Sequence, residues 1–525
     1  MNIPLTPIRM LRYARDQFPD RTAVVCGNDR FTYGQLAERV SKLAGALKKM
    51  GVQKGDRVAF LSLNCHRFLE AYYAVPEAGG IFVPVNTRLT PGELAYILND
   101  AGVSVLFFEE SFYETVEAFQ AETPSLKTIV QLDAVPRRSE WLSQKNYEEH
   151  LADAAPYHAD LFSIDENSVA EMFYTSGTTA NPKGVMLSHR NVYLHALNYC
   201  VTLNPSKLTV HLHTIPLFHV NGWGTVHYSY LGAVHVMIPR FRPVEVFKLI
   251  EQERVTSINL VPTMAAALIN APERTEYDLK SLERIRVGGS PPPSTMIRDV
   301  QKKLGGTAFC AYGLTEASPS LTMATIKQDM GWNAEQQLEK QAMTGYALPG
   351  AEVRVIDAEG DDVPRDGSTV GQIIARSDGV MSGYWNQPEA SAKTVHDGWL
   401  YTGDMAVVDK DGYLLIVDRM SDFIISGGEN ISSLELENTL LTHPSVAEAA
   451  VIPVPDEKWG EVPKALIVLK PDTMATEEEM IDYCRFRLAR FKVPRSVEFL
   501  PNLPKTGTGK ILKKDLRAKY TQADR

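Results

Sequence analysis

Hydroxyls, glycines and a lysine crowd into Tyr174-Thr-Ser-Gly-Thr-Thr-Ala-Asn-Pro-Lys-Gly-Val185. Thr175, Ser176, Thr178 and Thr179 bring O–H donors. Gly177 and Gly184 offer positive φ and close backbone approach, and Lys183 carries a mobile charge that can follow a phosphate. Successive N–H groups in such a run make an anion-binding nest. The chemistry this serves is the holding of phosphate oxygens. It is not a Walker A loop, which needs Ser or Thr after the lysine, because Gly184 follows Lys183. Taken alone, a run of this kind reads as a flexible polar loop, so its weight comes from the company it keeps.

That company is spread along the chain. Pro216-Leu-Phe-His219 sets an imidazole on a loop beside Val220-Asn-Gly-Trp223. Val261-Pro-Thr263 and Gly288-Gly-Ser290 each follow a strand-like run, and carboxyl ends of strands are where ligands of open α/β sheets bind. Tyr312-Gly-Leu-Thr-Glu316 supplies an aromatic face for a purine, a hydroxyl at Thr315 and a carboxylate suited to Mg²⁺ beside phosphates. Tyr401-Thr-Gly-Asp404, then Asp418-Arg419 and Gly427-Gly-Glu-Asn430, add further turns and charge. Lys505-Thr-Gly-Thr-Gly-Lys510 is a glycine-bearing arm with a cation at its end. His211 and His213 share one face of an alternating run at 208–215. With no Cys or carboxylate nearby they read as strand residues rather than metal ligands.

These motifs, in this order from about 31 to 516, resemble the adenylate-forming superfamily of acyl-CoA synthetases, adenylation domains and beetle luciferases. The resemblance implies an α/β protein: a large, multi-subdomain N-terminal α/β domain (1–420) and a small, mobile α+β C-terminal domain (421–525). It implies ATP on Thr175, Ser176, Gly177, Thr178, Thr179 and Lys183, with Gly288, Gly289 and Ser290 under the adenine. Tyr312, Gly313, Thr315 and Glu316 would complete that site. Asp404 and Arg419 would hold the ribose, and Thr178 and Glu316 would hold Mg²⁺. The acid would lie among His219, Trp223, Thr263 and Gly288, and Lys510, His219 and Glu316 would be catalytic. Gly427 and Gly428 would line the path of coenzyme A. Ser421 occupies the hinge position, where the family has Asp or Lys. The implied activity is ATP-dependent acyl-CoA synthesis through an acyl-adenylate. The His-Val-Asn-x-Trp string points first to medium- or long-chain fatty acids. Alternatives are a short or substituted acid such as methylthiopropionate, the loading of an acyl carrier protein, and a luciferase-like oxygenase.

The elements that must position these groups are legible too. Thr32 and Gln35 have capping-box spacing ahead of a helical pattern at 31–49. Thr90-Pro91-Gly-Glu93 opens a second helix that Gly102 closes, and 103–108 reads as a buried strand. Alternation of helix and strand argues for parallel sheets with right-handed crossovers. The stretch 326–341 is polar and reads as a surface excursion. With 525 residues, 44% hydrophobic and 22% charged, more than one core is expected. A net charge of −10 argues against a nucleic-acid surface. The five cysteines form no C-x-x-C pair, which fits a reducing, cytoplasmic setting. No apolar run suggests a membrane span, and a homodimer is left open.

Overall fold

The computed structural model describes residues 2–133, 139–175, 181–204, 208–290, 292–426, 429–505 and 511–521. Two largely parallel sheets form the body of the first 385 residues. One has nine strands, with Thr307–Tyr312, Arg284–Gly288, Ser257–Leu260, Val210–His213 and Val234–Met237 at its centre. All four of those pairings are parallel. The other has seven strands, with Val169–Thr175 between Lys183–Ser188 and Ile81–Pro84. Burial explains the strand compositions: Val103–Phe108 is buried at all six positions and reads as an unbroken apolar run, as a strand covered on both faces must.

The helices start where their caps dictate. Thr32 and Gln35 form a reciprocal capping box at the head of Tyr33–Lys49. Thr90 and Glu93 do the same for Pro91–Ala101, which Gly102 ends in the left-handed region. The stretch 326–341 is more than an excursion: Asn333 and Gln336 cap a helix at Ala334–Ala342. The strand expected at 208–215 is shorter, Val210–His213.

An antiparallel unit follows, in which Gly371–Ser377, Trp399–Val408 and Leu414–Arg419 are neighbours. Beyond it a five-stranded sheet is built on the long pairing of Val446–Asp456 with Gly460–Leu469. Its apolar clusters draw only on residues from Ile424 onward. Among the described residues no helix is long and apolar enough to cross a membrane.

Candidate active site

The described ends of the phosphate-loop candidate, 174–175 and 183–185, lie in the two strands of a hairpin. Val169–Thr175 pairs antiparallel with Lys183–Ser188, with Thr175 opposite Lys183 and Tyr174 opposite Gly184. Ser176, Gly177, Thr178 and Thr179 lie outside the described residues, as do Gly427, Gly428 and Lys510. Gly184 serves a different purpose from the one expected. It lies in extended strand, and a Cβ there would come within 3.0 Å of the Tyr174 ring, 3.1 Å of Met172 Sδ and 3.2 Å of Trp385 Cβ. Close packing, not positive φ, favours glycine at this position, since all three neighbours would have to give way to a Cβ. The loop end of the hairpin is tied to Asp100, whose carboxylate accepts from the Tyr174 hydroxyl at 2.6 Å and whose carbonyl accepts from Nε1 of the neighbouring Trp385 at 2.9 Å.

Tyr384 links the hairpin to the carboxylate of the 312–316 motif. The Lys183 ammonium lies 4.9 Å from the centre of the Tyr384 ring. The Tyr384 hydroxyl donates to Glu316 Oε1 at 2.8 Å, and Glu316's carbonyl accepts from Met381 N–H at 2.8 Å. Tyr384 was not foreseen. Its strand Gly383–Tyr384 pairs with Val185 and Met186, and that pairing, nearly two hundred residues apart in sequence, leaves no local pattern.

A second group forms where the first sheet meets the antiparallel unit. The Tyr312 hydroxyl donates to Asp404 Oδ2 at 2.6 Å. Arg419 Nε lies 3.3 Å from Asp404 Oδ1, because Asp404 and Arg419 are register partners in adjacent strands. Burial, aided by the Asp404 carboxylate, pushes the Tyr312 hydroxyl far above its ordinary range, so it stays a protonated donor. Gly313 tolerates no side chain: a Cβ would fall 1.9 Å from the Pro319 carbonyl oxygen. Gly289 turns the chain at φ +87° just past the strand ending at Gly288, which leaves Ser290 exposed. Thr263 is exposed in the first turn of the helix Pro262–Asn270.

The loop carrying His219 is held from behind. Asn64 Nδ2 donates to the carbonyls of His213 and Ile215 at 2.9 and 3.0 Å, and Asn64 Oδ1 accepts from Leu217 N–H at 2.7 Å. The buried Tyr72 hydroxyl donates to the carbonyls of Leu217 at 2.5 Å and His219 at 3.2 Å. The chain then closes the short helical turn Val220–Trp223. His211 and His213 do share one face, both buried: His211 Nδ1 pairs with Ser257 Oγ at 3.1 Å and His213 Nε2 with His235 Nδ1 at 2.9 Å. Among the described residues no group of three or more His, Cys, Asp or Glu side chains is placed to hold a metal ion.

At the expected hinge, Ser421 is exposed and its carbonyl accepts from Arg517 at 2.6 Å. The strongest tie lies three residues earlier. Asp418 Oδ2 accepts from Ser433 N–H at 2.5 Å, Ser433 Oγ at 2.7 Å and Leu434 N–H at 3.3 Å, so it seats the start of the helix Ser433–Leu441. Lys513 reaches the same point, 2.6 Å from both Ser433 Oγ and Glu437 Oε1.

Residues 11–385 match the model of the AMP-binding enzyme family and residues 435–510 that of the AMP-binding enzyme C-terminal domain. Among curated proteins, the long-chain-fatty-acid–CoA ligase of Thermus thermophilus is 38% identical, over 94% of this chain and 90% of its own. The 4-hydroxybutyrate–CoA ligase 2 of Metallosphaera sedula is 35% identical, over 98% and 94%. Among solved structures, an anthranilate CoA ligase in complex with anthranoyl-AMP superposes with a TM-score of 0.87 at 27% identity, over 100% of this chain and 99% of that one.

Proposed function

The chain belongs to the AMP-binding enzyme family and is an AMP-forming acid–thiol ligase, and from that premise we propose how its residues divide the reaction. A carboxylate oxygen bonds to the α-phosphorus of ATP, the bond to the bridging β-phosphate oxygen breaks, and pyrophosphate leaves. The sulfur of coenzyme A then bonds to the acyl carbon, the carbon–oxygen bond to AMP breaks, and the thiol proton passes to solvent. The first step joins two anions, so it needs positive charge where negative charge builds up.

Lys183 and the hydroxyls of 175–179 hold the leaving pyrophosphate. Asp404 accepts from the ribose hydroxyls, with Arg419 beside it, and Tyr312 covers the adenine above Gly288, Gly289 and Ser290. Lys510 supplies the charge at the α-phosphate. Glu316 fits Mg²⁺, since this ion takes one or two carboxylates plus phosphate oxygens, and Thr178 is its expected companion. Bound there, the ion would neutralise phosphate charge. Tyr384, donating to one Glu316 oxygen, fixes the direction in which that carboxylate faces. Gly427 and Gly428 border the pantetheine path once the part from 421 onward turns about Ser421. The observation that carries this reading is the Lys183–Tyr384–Glu316 chain of contacts, which brings a phosphate-binding cation and a metal-binding carboxylate together.

For the acid, two readings stand. The His-Val-Asn-x-Trp string favours a medium- or long-chain fatty acid, as in the Thermus relative. The buried histidines behind that loop favour a short or substituted acid, as in the Metallosphaera relative. The test is pyrophosphate release with a panel of acids, with and without coenzyme A. Release that needs acid and ATP, followed by thioester on free coenzyme A, is expected. Thioester only on a phosphopantetheinylated carrier protein would overturn the acceptor.

A further inference from the structure

Behind the loop that carries His219, one face of the nine-stranded sheet is polar where a core would be apolar. His211 lies beside Ser257, and Asn259 beside Arg286, as register partners. Asn259 Nδ2 meets His211 Nε2 at 3.3 Å. Arg286 stands two residues before Gly288 on the same strand, so it shares that face and lies ~7 Å below the site floor at the usual strand rise. The lid over this face is continuous with the acid loop. The helix Thr225–Tyr230 starts two residues after Trp223 and lays His227 against the Tyr199 ring at 4.5 Å. Tyr199 in turn accepts from the Arg286 guanidinium.

Three of the imidazoles are nearly sealed, with 5% exposure at His195, 1% at His213 and 4% at His227. His195 and His227 each keep one ring nitrogen, Nε2, without a hydrogen-bond partner among the described residues, while His213 pairs with His235 and with the backbone of Gly222. Burial pushes His195 and His213 down to about 3, so the rings are neutral donor–acceptors rather than cations. A buried polar atom left unpaired costs roughly 1–3 kcal/mol, and such atoms are rare in folded proteins.

We propose that this imidazole layer is the far wall of the acid pocket, and that it selects compact acids bearing a hydroxyl or a second carboxylate at the end remote from the reacting carboxylate. The inference rests on the adenylation reading above and sharpens its acid. A polymethylene tail driven against this face would leave the ring nitrogens unpaired in hydrocarbon. A distal oxygen would pair with them. Sites built to hydrogen-bond a substrate group discriminate strongly against analogues that lack it.

The test compares wild-type protein on matched acids: butyrate, 4-hydroxybutyrate, succinate and palmitate, with kcat/KM read from pyrophosphate release. The oxygenated acids should exceed butyrate by at least about tenfold, with palmitate near background. His227→Phe keeps an aromatic ring but removes the nitrogens, and should bring the ratio of 4-hydroxybutyrate to butyrate towards one. If butyrate or palmitate equals or exceeds the oxygenated acids in the wild type, the inference is overturned, whether or not the variant folds. Pyrophosphate release from none of the acids in any panel would remove the adenylation reading itself, and this inference with it.

Discussion

Asp404 and Glu171 are both buried carboxylates, at 6% and 0% exposure, yet their surroundings treat them differently. Asp404 accepts from Tyr312 and faces Arg419. Glu171 is in the middle of the strand leading to the proposed phosphate loop, and neither of its oxygens has a hydrogen-bond partner among the described residues. The same contrast divides the regions they belong to. Where ATP is proposed to bind, Asp404 and Glu316 have donors in place, and so does Asp418 beside the proposed hinge. At Glu171, and at His195 and His227 on the helices His189–Leu203 and Thr225–Tyr230, polar atoms are sealed without partners among the described residues. Donors already in place suit a ligand that never changes, such as ATP. Unpaired atoms mark where the protein forgoes stability, and near a substrate pocket that is where selection among ligands is built.

The sharpest way to break this comparison is through pH. Burial pushes Glu171 up to about 8. The fold therefore keeps its proton while the unfolded chain loses one, and stability falls as pH rises from the ordinary carboxylate range towards 8. Glu171→Leu should remove that fall, gaining up to about 5 kcal/mol near pH 8 and much less near pH 5, as read by urea unfolding at both. An equal gain at both would mean that Glu171 has a partner in solution. The histidines work in the opposite direction. Held neutral in the fold, His195 and His213 contribute stability that is present above the ordinary imidazole range and lost as pH falls from there towards about 3.

On the saturated side, Asp404→Ala strips the acceptor from Tyr312 and the partner from Arg419. It should raise the KM for ATP about 30-fold or more, for charged hydrogen bonds of about 2–3 kcal/mol. Asp418→Asn should weaken the seating of Ser433–Leu441 by about 1–2 kcal/mol. The readout is faster amide exchange in that helix, with the parallel sheets unchanged. Tyr384→Phe keeps the ring under Lys183 but removes the donor to Glu316. A cost of about 1 kcal/mol predicts a roughly five- to tenfold slower pyrophosphate release.

Much of the architecture is local and therefore readable in the chain. The boxes Thr32–Gln35 and Thr90–Glu93 and the left-handed Gly102 announce their helices. The apolar flanks of 174–185 announce two β-segments, but their antiparallel pairing, and the close packing at Gly184, became visible only in space. Tyr312, Asp404 and Arg419 were each legible as motif members, but their meeting depends on strand register. Tyr384, Asn64 and Asp418 act through partners 15 to 153 residues away, and no periodicity records that. His211 and His213 were seen to share a face. That Asn259 and Arg286 share it too became visible only with the strand order.

Separating the two half-reactions tests the account most directly. Lys510→Ala should abolish pyrophosphate release from acid and ATP while leaving thioester formation from supplied acyl-adenylate and coenzyme A nearly intact. Equal loss of both steps would contradict it, because Lys510 would then be holding the protein together rather than charging the α-phosphate.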